Sequence, residues 1–216
     1  MTEKKINGAT IQSSISNEEL DLLPLSMFEG KIHLVQSVEQ ITAAVDYLKK
    51  QPILGFDTET RPSFKKGQIH PVALLQLSTS DEAFLFRVNH IGISPGLVKV
   101  LSSPAILKIG AAIHDDIKVL QRIAPFKPNG FIDLQDMAKT YRIENLSLKK
   151  LAGIVMGVRI SKSQRLTNWE ATILTEQQQI YAATDAWIAH EIYVRLSRLK
   201  PENVLPKDET ATERTL

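Results

Sequence analysis

The stretch from Ile53 to Glu59, Ile-Leu-Gly-Phe-Asp-Thr-Glu, constrains this sequence most, because an apolar run ends there in two carboxylates separated by one residue. Side chains alternate between the two faces of a strand, so Asp57 and Glu59 point the same way, roughly 6.6 Å apart. Two buried carboxylates at this spacing repel each other and must share a proton or a cation. A divalent metal suits such oxygen ligands. The alternative is a strand that runs out into a solvated acidic turn.

Composition limits the kind of site that these acids can form. The 216-residue chain contains no cysteine, which excludes disulfides, zinc-thiolate sites and thiol catalysis, so any metal must bind oxygen or imidazole. The net charge of +2 is too small to indicate nucleic-acid binding by itself. No apolar run approaches the roughly 18 to 20 residues needed to span a bilayer, and no signal peptide is visible. We therefore expect a soluble cytoplasmic protein with no membrane partner.

Strand and helix patterns alternate along the chain, which predicts an α/β domain with a mixed sheet flanked by helices. We expect a polar, loosely attached N-terminal arm over residues 1–28, a single domain over 29–200 and a flexible C-terminal tail over 201–216. The predicted strands are 31–35, 53–59, 72–77, 82–87, 106–110 and 131–134. The predicted helices begin near residues 37, 94, 113, 135, 147 and 175, and the last one runs to about 199.

A third acid lies on the helix that begins near Ile113. Ile113, Ile117 and Leu120 form its apolar stripe, and at about 100° per residue Asp116 lies beside that stripe while Asp115 lies on the far side. Asp116 can therefore border the core, and Asp115 should face water. The alternative is that one of these acids only stabilises the helix start, a role that suits Asp115 better.

The long final helix carries a fourth acid on its inward stripe, with Tyr181 and Asp185 one turn apart. A buried carboxylate needs an arginine, a proton or a metal, because an isolated buried anion is prohibitively expensive. Arg195 is the alternative partner for Asp185, and Tyr181 taken alone is most often a packing residue.

Four acids, Asp57, Glu59, Asp116 and Asp185, would together supply the oxygen ligands for two magnesium or manganese ions. Two such ions about 3.5 to 4 Å apart bind one phosphate, activating water and stabilising the leaving oxygen. This pattern indicates phosphodiester hydrolysis. Since a phenol has an unperturbed pKa near 10, Tyr181 suits the orientation of the attacking water better than removal of its proton.

Three segments resemble the superfamily of 3′-5′ exonucleases named for its four acidic residues, in the branch that carries a tyrosine. They are Phe56-Asp57-Thr58-Glu59, the stretch from Ile109 to Asp116, and Tyr181-Ala-Ala-Thr-Asp185. The similarity spans about residues 30–199, and it is stronger to the Werner-type exonuclease domain than to ribonuclease D. It implies a ribonuclease H-like fold, the four acids as metal ligands and Tyr181 as the group that places water, all five acting in catalysis.

The expected partner is a nucleic acid with a free 3′ end, DNA more than RNA, cleaved to nucleoside 5′-monophosphates. Basic residues in two loops could line its path, and Trp169 could stack on a base or pack under the final helix. The candidates for substrate contacts are Thr58, Lys66, Arg165 and Trp169. The alternatives left open are trimming of RNA 3′ ends, a non-catalytic nucleic-acid-binding module on the same fold, and hydrolysis of a small phosphodiester.

Overall fold

A six-stranded mixed sheet forms the framework of the molecule in the computed structural model, which describes residues 10–63, 65 and 70–206. The strands are β2 Lys31–Val35, β3 Ile53–Thr60, β4 Val72–Ser78, β5 Glu82–Phe86, β6 Leu107–Gly110 and β7 Phe131–Asp133; a short strand β1 that precedes them lies outside this sheet and is described below. The strand order is β2-β5-β4-β3-β6-β7. Strand β4 pairs antiparallel with β3 and β5, whereas the pairs β2–β5, β3–β6 and β6–β7 are parallel. This confirms the predicted mixed sheet.

Helices cover both faces of the sheet, and the sequence explains where several of them begin. Ser94 caps one helix by accepting a hydrogen bond from the Leu97 amide, with proline at the first helical position. Thr175 and Gln178 form the predicted capping box of the last helix. The helices are α1 Asn17–Leu22, α2 Val38–Leu48, α3 Val88–Ile91, α4 Pro95–Ser102, α5 His114–Ile123, α6 Leu134–Thr140, α7 Leu148–Leu151 and α8 Glu176–Leu196.

The two faces of the sheet have different cores. Helices α2, α4 and α5 close an apolar core on one face, which includes Phe56 and Phe86. On the other face, helices α6, α7 and α8 cover a second apolar layer that includes Ile109 and Ile192. A π-helical turn, Ala152–Met156, continues α7 into this layer.

Helix α8 lies unusually close to the central strand β3. A side chain at Gly55 would place its Cβ only 1.8 Å from the carbonyl oxygen of Ala186, so only glycine fits at this crossing. The helix presents small buried residues to the sheet, namely Ala182, Ala183, Ala186 and Ala189. This close approach brings the side chains of α8 to the end of β3.

The described part of the N-terminal arm is attached to the domain, contrary to the expectation. Residues Ile11–Gln12 form a strand, β1, that pairs in parallel with a last strand, β8, at Val204–Leu205. Leu20 on α1 is 1% exposed and lies against Gly153. The expected flexible tail likewise begins with a 3₁₀ turn, Pro201–Asn203, followed by the paired strand β8, a pairing that a polar composition does not reveal. The boundaries at 28 and 200 stay predictions.

No helix in the described ranges is long and apolar enough to cross a membrane.

Candidate active site

The end of β3 supplies two of the predicted acids. Asp57 and Glu59 lie half-buried on the face that α8 covers, because they share the strand alternation with Gly55. Asp185 projects from α8 and is 8% exposed. One carboxylate oxygen from each of these three residues lies within 4.8 Å of the others. We call this group the acid cluster.

The acid cluster is electrostatically strained. Burial, followed by the charges of Asp185 and Asp116, raises the pKa of Asp57 well above its usual value. Burial and the Asp57 charge raise the pKa of Glu59 to about 10. Burial also raises the pKa of Asp185 to about 7, although the Tyr181 hydroxyl and the Lys162 charge act in the opposite direction.

Among residues 10–63, 65 and 70–206, no lysine or arginine forms an ion pair with a member of the acid cluster. Arg195, the alternative partner for Asp185, instead directs its guanidinium to the Met156 sulfur at 3.5 Å. Buried carboxylates without a cationic side chain as partner bind either protons or hard divalent cations, for which oxygen atoms are good ligands.

Asp116 reaches the same region from the other side of β3. Its carboxylate accepts a hydrogen bond from the Thr58 hydroxyl, and burial raises its pKa. Its oxygens are not within the 4.8 Å group, but its charge contributes to the raised pKa values of Asp57 and Glu59. Asp115 faces solvent and pairs with Lys118 at 3.1 Å, as the helical pattern predicted. Thr58, a candidate for substrate contact, is thus engaged with Asp116.

Tyr181 lies one turn before Asp185 and is 9% exposed. Burial, followed by the Asp185 and Glu59 charges, raises the pKa of its phenol further above 10. The phenol is therefore neutral at pH 7 and able to donate a hydrogen bond. Trp169 lies 6.0 Å from it, measured between ring centroids, and is fully buried. The suggestion that Trp169 stacks on a base is wrong for this structure, since its packing under α8 leaves no exposed ring face.

The basic residues of the loop before α8 differ in exposure and in hydrogen bonding. Lys162 and Arg165 are exposed near the acid cluster, where their charges oppose the rise in the pKa of Asp185 and of Glu59, respectively. Arg159 donates from Nε to the Leu23 carbonyl at 3.0 Å, so it serves the fold. Lys66 lies outside the described residues.

Asp133 was not singled out from the sequence, although it holds the turn that leads to Asp116. Its carboxylate accepts hydrogen bonds from the amides of Ala112 and Ile113, both at 3.1 Å, and from Gln135 at 2.8 Å. Ala112 has a φ of +61°, a conformation that a non-glycine residue adopts only with support. An aspartate between a strand and a helix was the available signal.

This fold and site define a class of nucleases. The family model described as 3′-5′ exonuclease matches residues 32–199, most of the chain. The chain belongs to the 3′-5′ exonuclease family, which confirms the resemblance noted in the sequence.

Particular relatives are similar over most of this chain. The mouse bifunctional 3′-5′ exonuclease/ATP-dependent helicase WRN is 33% identical, over 92% of this chain and 14% of its own length. Ribonuclease D of Gluconacetobacter diazotrophicus is 27% identical, over 80% of this chain and 44% of its own length. The crystal structure of the Aedes aegypti Nibbler EXO domain superposes with a TM-score of 0.73 at 25% identity, covering 82% of this chain and 96% of that one. The chain thus spans less than half the length of these two curated relatives.

Proposed function

We propose that this chain is a metal-dependent 3′-5′ exonuclease that hydrolyses phosphodiester bonds at DNA 3′ ends and releases nucleoside 5′-monophosphates. The observation that carries the proposal is the acid cluster, with three carboxylates within 4.8 Å and without an ion pair in the described chain. Membership of the 3′-5′ exonuclease family supports the proposed reaction and its direction.

The donor set fits two Mg²⁺ or Mn²⁺ ions. Every donor is a carboxylate oxygen, the preferred ligand of these hard cations, and the chain has no cysteine thiolate to favour a softer metal. Asp57, Glu59 and Asp185 would hold the ions, with Asp116 completing the set from the Thr58 side. Such ions, when bound, supply Lewis-acid stabilisation of a phosphate and an activated water.

Tyr181 is the residue that we assign to the attacking water. Its hydroxyl lies among the acids, and because its pKa is raised it stays protonated. A neutral phenol orients a water molecule by hydrogen bonding and does not remove its proton. The Trp169 ring packs against the phenol ring, with 6.0 Å between the ring centroids.

The exposed charges of Lys162 and Arg165 suit the phosphate backbone of a strand entering the site. We place DNA ahead of RNA because the identity with the mouse exonuclease/helicase, 33%, exceeds the 27% with ribonuclease D. The second candidate is trimming of RNA 3′ ends, which the ribonuclease D similarity favours. Discrimination between the two depends on contacts to the 2′-hydroxyl.

The test uses 5′-labelled single strands of DNA and RNA of one sequence, incubated with the full chain and Mg²⁺ or Mn²⁺. We expect stepwise shortening from the 3′ end, nucleoside 5′-monophosphates as products, and faster loss of DNA. Chelation of the metal and Asp57→Ala should each abolish the shortening. Faster degradation of the RNA strand would refute the DNA assignment, and equal activity of Asp57→Ala would refute the proposal itself.

A further inference from the structure

A small groove opens directly beside Tyr181. It has a volume of about 230 Å³ and lies between the N-terminal segment, the loop before α8 and the first turns of α8. Leu25 and Met27 form one wall, Ser161 and Ser163 another, and Ile180 and Tyr181 the base. Tyr181 therefore connects the groove to the acid cluster, because it lines the groove and its hydroxyl hydrogen-bonds the Asp185 carboxylate.

The wall from the N-terminal segment is held in place by specific bonds. Leu25 forms a parallel bridge with Arg159, and the Ser26 amide donates to the Arg159 carbonyl at 2.9 Å. Two residues further, the Phe28 amide donates to the Thr184 hydroxyl of α8, also at 2.9 Å. The segment is thus attached to α8 on one side and to the backbone at Arg159 on the other.

The wall exposes apolar surface where a purely structural segment would bury it. Leu25 is 48% exposed and Met27 is 46% exposed, although Phe28 next to them is buried. Leucine and the polarisable thioether of methionine pack well against flat ring systems. The groove is smaller than the roughly 300 Å³ at which sites for drug-sized ligands begin, so it accommodates a single planar group.

Charge around the groove indicates what this planar group is attached to. Lys162 lies in the loop between the two serines and Arg165 follows shortly after, and both are exposed. Their positive charge acts on the acid cluster, since the Lys162 charge lowers the pKa of Asp185 and the Arg165 charge lowers that of Glu59. An apolar slot flanked by cations, with the proposed water-orienting Tyr181 in its lining, matches the base, sugar and phosphate of a nucleotide.

We propose that this groove is the subsite for one nucleobase of the substrate strand, next to the phosphate that is cleaved, and that residues 25–27 form its apolar wall. The inference rests on the proposed exonuclease function. Because its walls contact a ring face, the subsite accepts any of the bases. Its affinity comes from stacking and apolar contact, while Ser163 and Gln177 give the rim polar groups.

The first experiment fills the groove. Ser163 is exposed at its rim, so Ser163→Trp should fold normally and block entry of a base. We expect KM for a single-stranded oligonucleotide to rise about 10-fold, on the order of one lost base contact, with kcat within about twofold. Ser197→Trp, at an exposed serine near the end of α8, is the matched control and should leave KM unchanged. Met27→Ala removes part of the wall and should raise KM in the same direction by a smaller factor.

The second experiment maps the contact without turnover. An oligonucleotide with 4-thiothymidine at its last two positions is photocrosslinked to the full-length Asp57→Asn variant, and the crosslinked peptides are identified. We expect crosslinks to residues 25–27 or 161–163, lost in the Asp57→Asn, Ser163→Trp double variant. Crosslinks only outside these two segments, or a KM unchanged in both Ser163→Trp and Met27→Ala, would overturn the subsite. An active wild-type enzyme with unaffected variants overturns the subsite alone, whereas a wild-type chain that degrades no strand overturns the proposed function with it.

Discussion

Buried positive and buried negative charges in this molecule have different surroundings. Lys108, fully buried on β6, donates from Nζ to the carbonyl oxygens of Ser103 at 2.8 Å and Ile106 at 2.7 Å. Its ammonium also lies 5.0 Å from the ring centroid of Phe131. Burial still lowers the pKa of Lys108 to about 8, but the charge has partners that belong to the fold.

Arg87, like Lys108, has backbone carbonyl partners, whereas the acids of the acid cluster have no ion-pair partner in the described chain. Its buried guanidinium donates to the carbonyl oxygens of Ala171 and Thr172, which fixes the loop before α8. The acid cluster instead contains three carboxylates side by side, and the described chain supplies none of them with an ion pair. Charges that the fold satisfies stabilise the fold, and charges that it leaves unsatisfied indicate where a ligand binds.

The largest effect should come from the acid cluster. Asp57→Asn keeps the size of the side chain and removes its charge, so we expect nuclease activity to fall at least about 100-fold, the order expected for loss of one group that stabilises a transition state electrostatically. The thermal midpoint of the metal-free variant should not fall, because repulsion within the cluster is relieved. Rate assays and thermal melts measure both. Asp115→Asn, at an exposed acid paired with Lys118, is the matched control and should retain full activity.

Loss of the phenol hydroxyl should have the next largest effect. Tyr181→Phe keeps the ring against Trp169 and removes the group that orients water, so we expect kcat to fall about 10- to 100-fold, less than for a group that transfers the proton itself. KM should change little, because the hydroxyl acts on the attacking water and not on the bound strand. Steady-state kinetics separate the two constants. A large rise in KM at unchanged kcat would place Tyr181 in binding instead.

The buried lysine should show the opposite pattern. Lys108→Met leaves the carbonyls of Ser103 and Ile106 without their donor, so we expect a loss of about 1–3 kcal/mol in unfolding free energy. The folded fraction should retain its kcat, because Lys108 belongs to the apolar face that α4 and α5 cover. Urea unfolding and rate assays on the same samples decide this. Lys99→Met, at an exposed lysine of α4, should change neither quantity.

The pH dependence of stability gives the smallest effect. The raised pKa values mean that the folded, metal-free chain holds protons that the unfolded chain releases, so stability should fall as pH rises. The loss should begin near the unfolded value of Asp185, about 4, and continue through its folded value of about 7 towards the value of about 10 for Glu59. Thermal melts in chelator at pH 5 and pH 9 should differ by a few degrees, and Asp57→Asn should reduce that difference. A midpoint that rises with pH would contradict the burial of these acids.

Much of the fold could be predicted because local patterns control it. The strand at 53–60 and the capped helices at 95–102 and 176–196 follow from apolar periodicity and from cap residues that act within one turn. The short elements were missed. Strand β1 at 11–12 depends on pairing with residues almost 200 positions away, and no local pattern of two residues records such a pairing.

In the candidate site, too, the features set by local patterns could be predicted and those set by tertiary contacts could not. Strand alternation and helical periodicity placed Asp57, Glu59 and Asp185 on facing surfaces, and the structure brings their oxygens together. The role of Thr58 as a partner of Asp116 could not be predicted, since it depends on how α5 crosses the end of β3. The position of Trp169 likewise follows from tertiary packing, which sequence spacing does not contain.

Anomalous diffraction from crystals soaked in Mn²⁺ and a nucleoside 5′-monophosphate tests most directly whether the unsatisfied acids are a cation site. The account predicts two manganese peaks, both within coordination distance of Asp57 and at least one also touching Asp185. A fully soaked crystal with no peak at Asp57, or with a lysine or arginine side chain paired to the acid cluster in place of metal, would contradict it.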